Sequence, residues 1–341
     1  MSDLALVGID LGKHTFHLHG QDKSGHELFR KKLSRQQMMR FFANLPACTV
    51  VMEACAGAHF VARELTALGH QAKLISPQFV KPFVKGNKND FVDAQAICEA
   101  ASRPTMRFVS PKTEAQQTLS ILHRLRESLI RDRTKAVNQM HGFLLEFGIS
   151  LPQGVTVIRR LASVLAEHDL PTRLTLLLQR LHDHFGYLDK QIKALDKDLA
   201  SQLAEDDLGN RLLSMPGIGP ITASLLAVET GDGKHYACSR DFAASVGLVP
   251  RQYSTGGRAN LLGISKRGDK NLRRLLVQCA RAYMQRIEYQ KGALAEWVRA
   301  LLTRRHSNVV ACALANKLAR IAWAIARHHT QYEAGPGALN A

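Results

Sequence analysis

The sequence predicts an α/β domain followed by a mostly helical remainder, because three patterns follow one another along the chain. Strand-length apolar runs alternate with segments of helical spacing near its start: 4–10, 35–44, 48–54, 58–68 and 71–76. Two longer segments, 113–148 and 173–204, then carry leucines at helical spacing. The last pattern, from 209 to 330, is helical again and contains a glycine-rich stretch at 247–268. Strands that alternate with helices are typical of an α/β sheet.

The first domain is predicted to begin with a β-hairpin and to cover residues 1–112. Residues 4–10 read LALVGID, and the following HTFHLHGQD alternates, with Phe16 and Leu18 on one face. Alternation with a period of two indicates a strand, and the two later apolar runs are short enough to be buried strands.

Residues 113–205 are predicted to form an arm of two long helices. The first helix has leucines at helical spacing: Leu119, Leu122, Leu125 and Leu129. The second helix repeats the pattern after a segment at 149–172 that contains proline and glycine. We interpret the pair as an antiparallel coiled coil that serves as an interaction element. The alternative is that both helices only pack on the neighbouring domains.

Residues 206–330 are predicted to form a mostly helical C-terminal domain, and residues 331–341 a disordered tail. Within that domain, the string LLSMPGIGPITASLLA predicts a helix–hairpin–helix-like unit. Gly217 and Gly219 lie in its turn, and the N–H groups of the turn and of the following helix suit a phosphate. The alternative is an ordinary pair of helices joined by a short turn.

The charge of the chain indicates a polyanionic partner. Lys and Arg number 46 against 29 Asp and Glu, which gives a net charge of +17. From residue 208 onward, 19 Lys and Arg face 7 Asp and Glu. A concentrated basic region favours nucleic acid, although a merely solvated basic face has the same composition.

The cysteine pattern and the absence of a leader predict a bacterial cytoplasmic protein. The six cysteines are scattered without a CxxC pair, which is typical of reduced thiols buried in a reducing compartment. The sequence shows no secretory leader and no apolar run expected to span a membrane, so no membrane partner is expected.

Four acids are candidate ligands of a divalent metal. Asp10 and Glu53 each end an apolar strand, and Asp90 and Asp93 lie three residues apart on one predicted helix face. Functional groups gather at strand ends in parallel sheets, and such oxygen ligands suit Mg²⁺. A metal held there supports phosphoryl transfer. The alternatives are turn or cap roles, with Asp90 as a helix cap.

The string GLVPRQYSTGGRANLLGISKRGDKNLRRLL at 247–276 contains a candidate nucleophile, Ser254. Two glycines allow a phosphate to approach the backbone, and arginines bind phosphate in a bidentate manner. The cations predicted to bind nucleic acid flank or follow the serine: Arg251, Arg258, Lys266, Arg267, Lys270, Arg273 and Arg274. Ser254 could attack a phosphate covalently, or the loop could only hold the backbone.

Taken together, these motifs resemble the DEDD-type insertion-sequence transposases of the IS110 family and, within it, the IS1111 group. The strings that carry the resemblance span the chain: GIDLGKHTF, VVMEACAGAHF, NKNDFVDAQAI, MPGIGPITA and the serine-containing string. Members of this family are recombinases guided by a bridge RNA or seek RNA.

The resemblance implies a RuvC-like ribonuclease-H fold whose metal ligands are Asp10, Glu53, Asp90 and Asp93, and a C-terminal transposase domain with a serine nucleophile. It also implies that the enzyme excises a circular element and inserts it at a target chosen by the element's own non-coding RNA. Donor and target double-stranded DNA would be held by a dimer to tetramer, whose active site combines the acids of one subunit with the serine of another.

Two neighbouring residues are candidates for the position of the nucleophile. Ser254 is the only serine in the stretch before Gly256 and Gly257, but Thr255 directly precedes the first glycine. We predict Ser254, because the flanking string fits the pattern of the family.

Two rival functions are compatible with the same residues. One is a structure-specific, metal-dependent nuclease of the Holliday-junction-resolvase type, which uses the acids and water without a serine step. The other is a non-catalytic nucleic-acid-binding protein with a degenerate nuclease fold, against which the presence of all four acids argues. The sequence also lacks a zinc-finger spacing, a basic zipper and a clear recognition helix, which is consistent with a guide RNA that reads the DNA sequence.

Overall fold

The computed structural model describes residues 4–86 and 89–334 and divides the chain into two compact units, Met1–Gln117 and Thr118–Ala341. The first unit is built on a mixed sheet, and the second is mostly helical. The α/β-plus-α class predicted from the sequence is therefore confirmed. The sequence predicted domain boundaries after residues 112, 205 and 330, which divide the chain into more parts than these two units. Those boundaries stay predictions.

The strands of the first unit are β1 (Leu4–Leu11), β2 (Thr15–Asp22), β3 (Glu27–Ser34), β4 (Thr49–Glu53), β5 (Gln71–Ile75) and β6 (Phe108–Val109). Its helices are α1 (Arg35–Ala43), α2 (Ala58–Ala67), α3 (Pro77–Val80) and α4 (Asp90–Ala101). The predicted hairpin and the later strands and helices are present. The sequence did not reveal β3, because this edge strand exposes alternate charged residues and buries little apolar surface.

The six strands form one sheet in the order β3-β2-β1-β4-β5-β6. The first three strands are antiparallel, β1, β4 and β5 are parallel, and β6 runs antiparallel to β5. Because β1 is central and parallel to β4, the carboxyl ends of these two strands lie side by side.

The two faces of the sheet are covered by different helices. Alternate residues such as Val7, Ile9 and Phe16 pack with α1 and α2, whereas Leu6 and Val51 pack with α4. Helix α4 approaches β1 closely, since a Cβ at Gly8 would collide with the carbonyl oxygen of Ala94. Glycine at this position therefore sets the distance between α4 and the end of β1.

The helices of the chain from Glu114 onward are, in order, α5 (Glu114–Leu145), α6 (Val155–Ile158), α7 (Leu161–Ala166), α8 (Thr172–Glu205), α9 (Asp207–Leu213), α10 (Pro220–Thr230), α11 (Ser239–Ser245), α12 (Lys270–Gln285), α13 (Ala293–Leu302) and α14 (Ser307–His328). A short hairpin of β7 (Pro250–Gln252) and β8 (Leu261–Ile264) lies between α11 and α12.

The two long helices predicted from the leucine pattern are α5 and α8, and they run antiparallel. Arg126 of α5 pairs with Asp196 of α8, and Arg133 pairs with Asp189. Each pair is one heptad from the other on both helices, as side-by-side antiparallel helices require. Beyond these pairs, buried apolar residues of α5, of α8 and of the segment between them pack into a separate cluster at the end of the arm where the two helices are connected.

Helices α9 to α14 surround a second, larger core in which α14 is central. Contrary to the expectation from the sequence, α14 is long and apolar enough to cross a membrane, at 22 residues with a mean hydropathy of 1.5 in its most apolar window. Most of that window is buried inside the protein. Its apolar residues are therefore explained by the core of the second unit.

Two smaller expectations are modified by the structure. All six cysteines are free, but only Cys98 and Cys279 are buried, and Cys238 is exposed at the start of α11. Residues 331–334 of the predicted disordered tail are described, and the N–H of Tyr332 donates to Ser214 Oγ at 2.9 Å. The remainder of the predicted tail, 335–341, lies outside the described residues.

Candidate active site

Asp10 and Glu53 lie together at the carboxyl ends of two neighbouring parallel strands. The paired register of β1 and β4 ends with Ile9 opposite Met52, and the two acids are the next residue on each strand. Because side chains alternate along a strand, both acids fall on the face that α4 covers. The strand register thus places two carboxylates on the same side of the sheet.

Asp90 and Asp93 lie in the first turn of α4. The cap of this helix is Asn89, whose Oδ1 accepts a hydrogen bond from the N–H of Phe91 at 3.0 Å. Asp90 is therefore not the cap, and its carboxylate is available to the cluster. The close approach of α4 at Gly8 brings this first turn to the end of β1.

The electrostatics of Glu53 show that the acids converge. Burial, together with the negative charges of Asp10 and Asp93, raises the pKa of Glu53 above its ordinary value. Asp10 and Asp90 each place a carboxylate oxygen within 4.8 Å of the other and of a His17 ring nitrogen. Like charges held this close favour a bound cation, which relieves their repulsion. The donor set therefore fits a divalent metal.

His17 is a member of this cluster that the sequence motifs did not single out. It lies on β2 directly opposite Asp10 on β1, and its ring is buried. The predicted hairpin could have indicated this position of His17, because a short turn after LGKH places residue 17 opposite residue 10. Only the register of the hairpin, however, decides which histidine of HTFHLH faces the acids.

Ser254 lies on an exposed hairpin of the second unit. The turn at its tip is Thr255–Arg258, in which Gly256 and Gly257 have φ angles of 55° and 75°. Positive φ at both central residues is typical of a type I′ turn and explains the paired glycines. Ser254 Oγ accepts a hydrogen bond from Gln252 Nε2 at 2.6 Å.

Comparison with known proteins identifies the family. Residues 209–296 match the family described as "Transposase IS116/IS110/IS902 family", and residues 7–149 match the DEDD transposase family of the IS110 type. The chain is also 65% identical, over 97% of its length and 99% of the relative's, to the transposase for insertion sequence element IS1328 of Yersinia enterocolitica. The chain belongs to the IS110 transposase family. It is accordingly an enzyme that cleaves and joins DNA, and the resemblance inferred from its motifs is confirmed.

Two further relatives match nearly the full chain. A probable family 20 transposase of Pseudomonas aeruginosa is 46% identical, over 98% of this chain and all of the relative. The transposase for insertion sequence element IS1111A of Coxiella burnetii is 38% identical, over 98% of this chain and 93% of the relative. The likeness to IS1111A is consistent with the IS1111 group.

In this transposase, the loop after the serine hairpin is held in a defined conformation. Lys266 has a positive φ of 58°, which is rare for a residue with a side chain, and its N–H donates to the Gly247 carbonyl at 3.1 Å. A Cβ at Gly247 or at Gly268 would collide with backbone atoms of this region. The loop is therefore built to present Lys266 and Arg267 on the surface.

The cations predicted to bind nucleic acid divide into two groups. The exposed group is Arg251, Arg258, Lys266, Arg267 and Lys270. Arg273 instead donates from one terminal nitrogen to the carbonyls of Val246 and Arg267, at 2.8 and 2.7 Å. Arg274 donates to Asn271 Oδ1 at 2.5 Å. Both arginines are half-buried. Arg273 stabilises the loop, whereas the partner of Arg274 lies in its own helix, and the contact of either arginine with nucleic acid stays a prediction.

The turn at Gly217 and Gly219 is packed against α12. A Cβ at Gly217 would come within 2.9 Å of the carbonyl oxygen of Cys279, and Thr222 Oγ1 in the first turn of α10 lies 3.3 Å from Cys279 Sγ. The two helices and the turn of the predicted helix–hairpin–helix-like unit are present as α9, the turn and α10. The binding of a phosphate at this turn stays a prediction.

Proposed function

We propose that this transposase is an RNA-guided DNA recombinase that excises and inserts its own mobile element. In the proposal, Asp10, Glu53, Asp90 and Asp93 form a metal-dependent DEDD site, and Ser254 forms a covalent phosphoserine intermediate. The observation that carries the proposal is the proximity of the acids: ligand oxygens of Asp10 and Asp90 lie within 4.8 Å of each other, and burial together with the charges of Asp10 and Asp93 raises the pKa of Glu53. The sheet order, with antiparallel β3, β2 and β1 followed by parallel β4 and β5, supports a RuvC-like ribonuclease-H fold.

The four acids would hold Mg²⁺, because carboxylate oxygens are the ligands that this ion prefers. When bound, the metal supplies neutralisation of the charge that develops on a phosphate oxygen. The protein's own contribution is to bring the carboxylates of two strand ends and of the first turn of α4 close together.

The serine step is an exchange of one phosphate ester for another. Ser254 Oγ forms a bond to phosphorus, the bond from that phosphorus to one deoxyribose oxygen breaks, and the proton of the serine is transferred to the released oxygen. Since one ester replaces another, the strands can be rejoined without a high-energy cofactor. Arg251 and Arg258 are exposed on the same hairpin region and would bind the phosphate.

The partners in this proposal are an element-encoded guide RNA and donor and target double-stranded DNA. The excess of basic residues suits both backbones, and base pairing with the guide would select the target. The protein would act in the bacterial cytoplasm, at the nucleoid, as a dimer to tetramer. Its composite site would combine the acids of one subunit with Ser254 of another.

Denaturing electrophoresis on labelled substrate DNA tests the serine step. The wild type should give a protein–DNA band, Ser254→Ala should give none, and Thr255→Ala should retain it. A band that persists in Ser254→Ala and disappears in Thr255→Ala would assign the nucleophile to Thr255. Recombination without any covalent band would refute the serine mechanism and favour the hydrolytic resolvase.

Sequencing of the RNA that copurifies with the protein tests the guide. We expect one RNA species from the end of the element, and recombination at selected sites should require it. Full and specific recombination by protein stripped of RNA would refute guidance while leaving the serine step intact.

A further inference from the structure

His17 is placed by the strand register to face the acidic cluster. It lies opposite Asp10 in the antiparallel pair of β1 and β2, and residues that face each other in such a pair share one side of the sheet. The residue is only 8% exposed. A histidine buried on the face that carries Asp10 and Glu53 requires a polar partner there.

The ring nitrogen of His17 points to the acids. Its Nδ1 lies 3.6 Å from Asp90 Oδ2, and one ring nitrogen lies within 4.8 Å of ligand oxygens of both Asp10 and Asp90. Phe91 contacts the ring edge to face, with 4.8 Å between centroids, and so fixes its plane. A separation of 3.6 Å is too long for a good hydrogen bond. It is the separation of neighbouring ligands around one ion, which is about 3.0–3.6 Å when the metal–ligand bonds are about 2.1 Å.

The neighbouring polar residues on the same strand do not reach the cluster. Gln21 Nε2 donates to Ser102 Oγ at 3.1 Å, and His19 Nδ1 lies 3.7 Å from Glu27 Oε2. Both residues are as buried as His17 and lie on the same face of β2. His17 differs from His19 and Gln21 in its position along β2. The first residue of α4, Asp90, lies over residue 17 and not over residues 19 and 21.

We propose that His17 is a fifth ligand of the metal site and supplies one imidazole nitrogen beside the oxygens of Asp10 and Asp90. This proposal rests on the metal site of the proposed function and adds a nitrogen ligand to its oxygen ligands, which changes the metal that the site prefers. An all-oxygen site suits Mg²⁺, whereas an imidazole nitrogen favours Mn²⁺ over Mg²⁺. The substrate-free protein should therefore bind Mn²⁺ through nitrogen as well as oxygen.

Pulsed electron paramagnetic resonance of the full-length protein with Mn²⁺ alone tests this directly. We expect a ¹⁴N coupling of a directly bound imidazole in the wild type. The coupling should disappear in His17→Phe, which keeps a packed ring without a donor, and Mn²⁺ affinity should fall by at least about tenfold. His17→Asn places an oxygen near the position of Nδ1, so it should recover part of the affinity without the coupling.

His19→Asn is the matched control, because it alters a buried histidine on the same face and strand. It should retain both the coupling and the affinity, with folding of every variant checked by circular dichroism. Mn²⁺ binding that requires Asp10 and Asp90 but shows no ¹⁴N coupling would overturn the role of His17 and leave the metal site standing. No Mn²⁺ binding by the wild type would overturn both.

Discussion

At the scale of single residues, the acids and the serine are fixed by different local structures. Asp10 and Glu53 owe their positions to the parallel register of buried strands, whereas Ser254 lies on an exposed hairpin whose turn is set by two glycines. Glu53 is half-buried, and this burial together with the nearby charges of Asp10 and Asp93 raises its pKa. The hydroxyl of Ser254 has only Gln252 as a hydrogen-bond partner among the described residues.

We predict that Asp10→Asn, Glu53→Gln, Asp90→Asn and Asp93→Asn each abolish strand transfer and retain DNA binding. Each change removes a negative charge from the metal site and leaves the basic surface unchanged. Strand transfer and DNA binding are measured on the same preparations. Glu64→Gln, an exposed change on α2, is the control and should be active. Near-normal transfer by two of the four variants would contradict the metal site as described.

We predict a pH-dependent stability from His235. Burial lowers the pKa of His235, although the charge of Asp232 acts in the opposite direction. The folded state therefore binds a proton less readily than the unfolded chain. This contribution to stability is complete above about pH 6.5 and is lost as the pH falls through the lowered pKa of the folded state. Thermal unfolding between pH 7.5 and pH 5.5 should be less pH-dependent in His235→Asn than in the wild type. The exposed control His184→Asn should behave like the wild type, and equal slopes in all three proteins would refute the assignment.

At the scale of elements, the arm is held by a polar core as well as an apolar one. Asp189 of α8 is buried and pairs with Arg133 of α5, with Arg159 after α6 and with Lys193 one turn along its own helix. Burial would raise the pKa of Asp189, but these hydrogen bonds and charges outweigh it and lower the pKa. The carboxylate thus joins three segments of the arm.

We predict that Asp189→Ala destabilises the arm by about 3 kcal/mol, because it removes a buried carboxylate that Arg133, Arg159 and Lys193 share. Asp196→Ala removes the carboxylate of the pair one heptad away, which is 39% exposed rather than 11%, and should cost less than about 1 kcal/mol. Urea unfolding followed by circular dichroism measures both changes. Equal effects of the two variants would show that burial does not decide the strength of these pairs.

At the scale of the whole molecule, apolar surface and charge point to partners. The large apolar side chains exposed at the loop end of the arm are Phe143, Leu145, Phe147, Leu176 and Leu177. In contrast, Leu188 and Ile192 of the leucine pattern on α8 are buried within the chain, and Leu195 of the same pattern is half-buried. Charged residues at those three positions would disrupt the arm itself.

We predict that Leu176→Asp with Leu177→Asp lowers the mass of the transposase in solution without lowering its thermal stability, because both side chains are exposed. Leu188→Asp should instead lower the stability, since it buries a charge. Light scattering and thermal unfolding distinguish the two effects. An unchanged mass in the double variant would exclude this end of the arm from assembly.

We predict a steep salt dependence of nucleic-acid binding. Replacement of Lys266 and Arg267 by alanine should reduce the slope of log K against log salt by about two, because each cation neutralises one phosphate. Arg304→Ala with Arg305→Ala removes the same charge from an exposed pair before α14 and is the matched control. The same reduction in both double variants would show that only net charge matters.

The sequence by itself determined the family and the class of fold and predicted the four acids as metal ligands, because these depend on local signals. Period-two and helical patterns are properties of short segments, and the strings around Asp10, Glu53, Asp90 and Ser254 are contiguous. The same locality explains why the sequence indicated both long helices and the turn at Gly217.

Only the tertiary structure decided which side chains meet. The register of β1 with β2 brings His17 rather than His19 to the acids, and the packing of α10 on α12 places Thr222 against Cys279. On α8, Leu178, Leu188, Ile192 and Leu199 of the leucine pattern are buried inside the chain, whereas Leu125 of the α5 pattern is exposed. These outcomes depend on contacts between residues far apart in the chain. A one-residue change in the register of β1 with β2 would turn His17 to the other face of the sheet while every local pattern stayed the same.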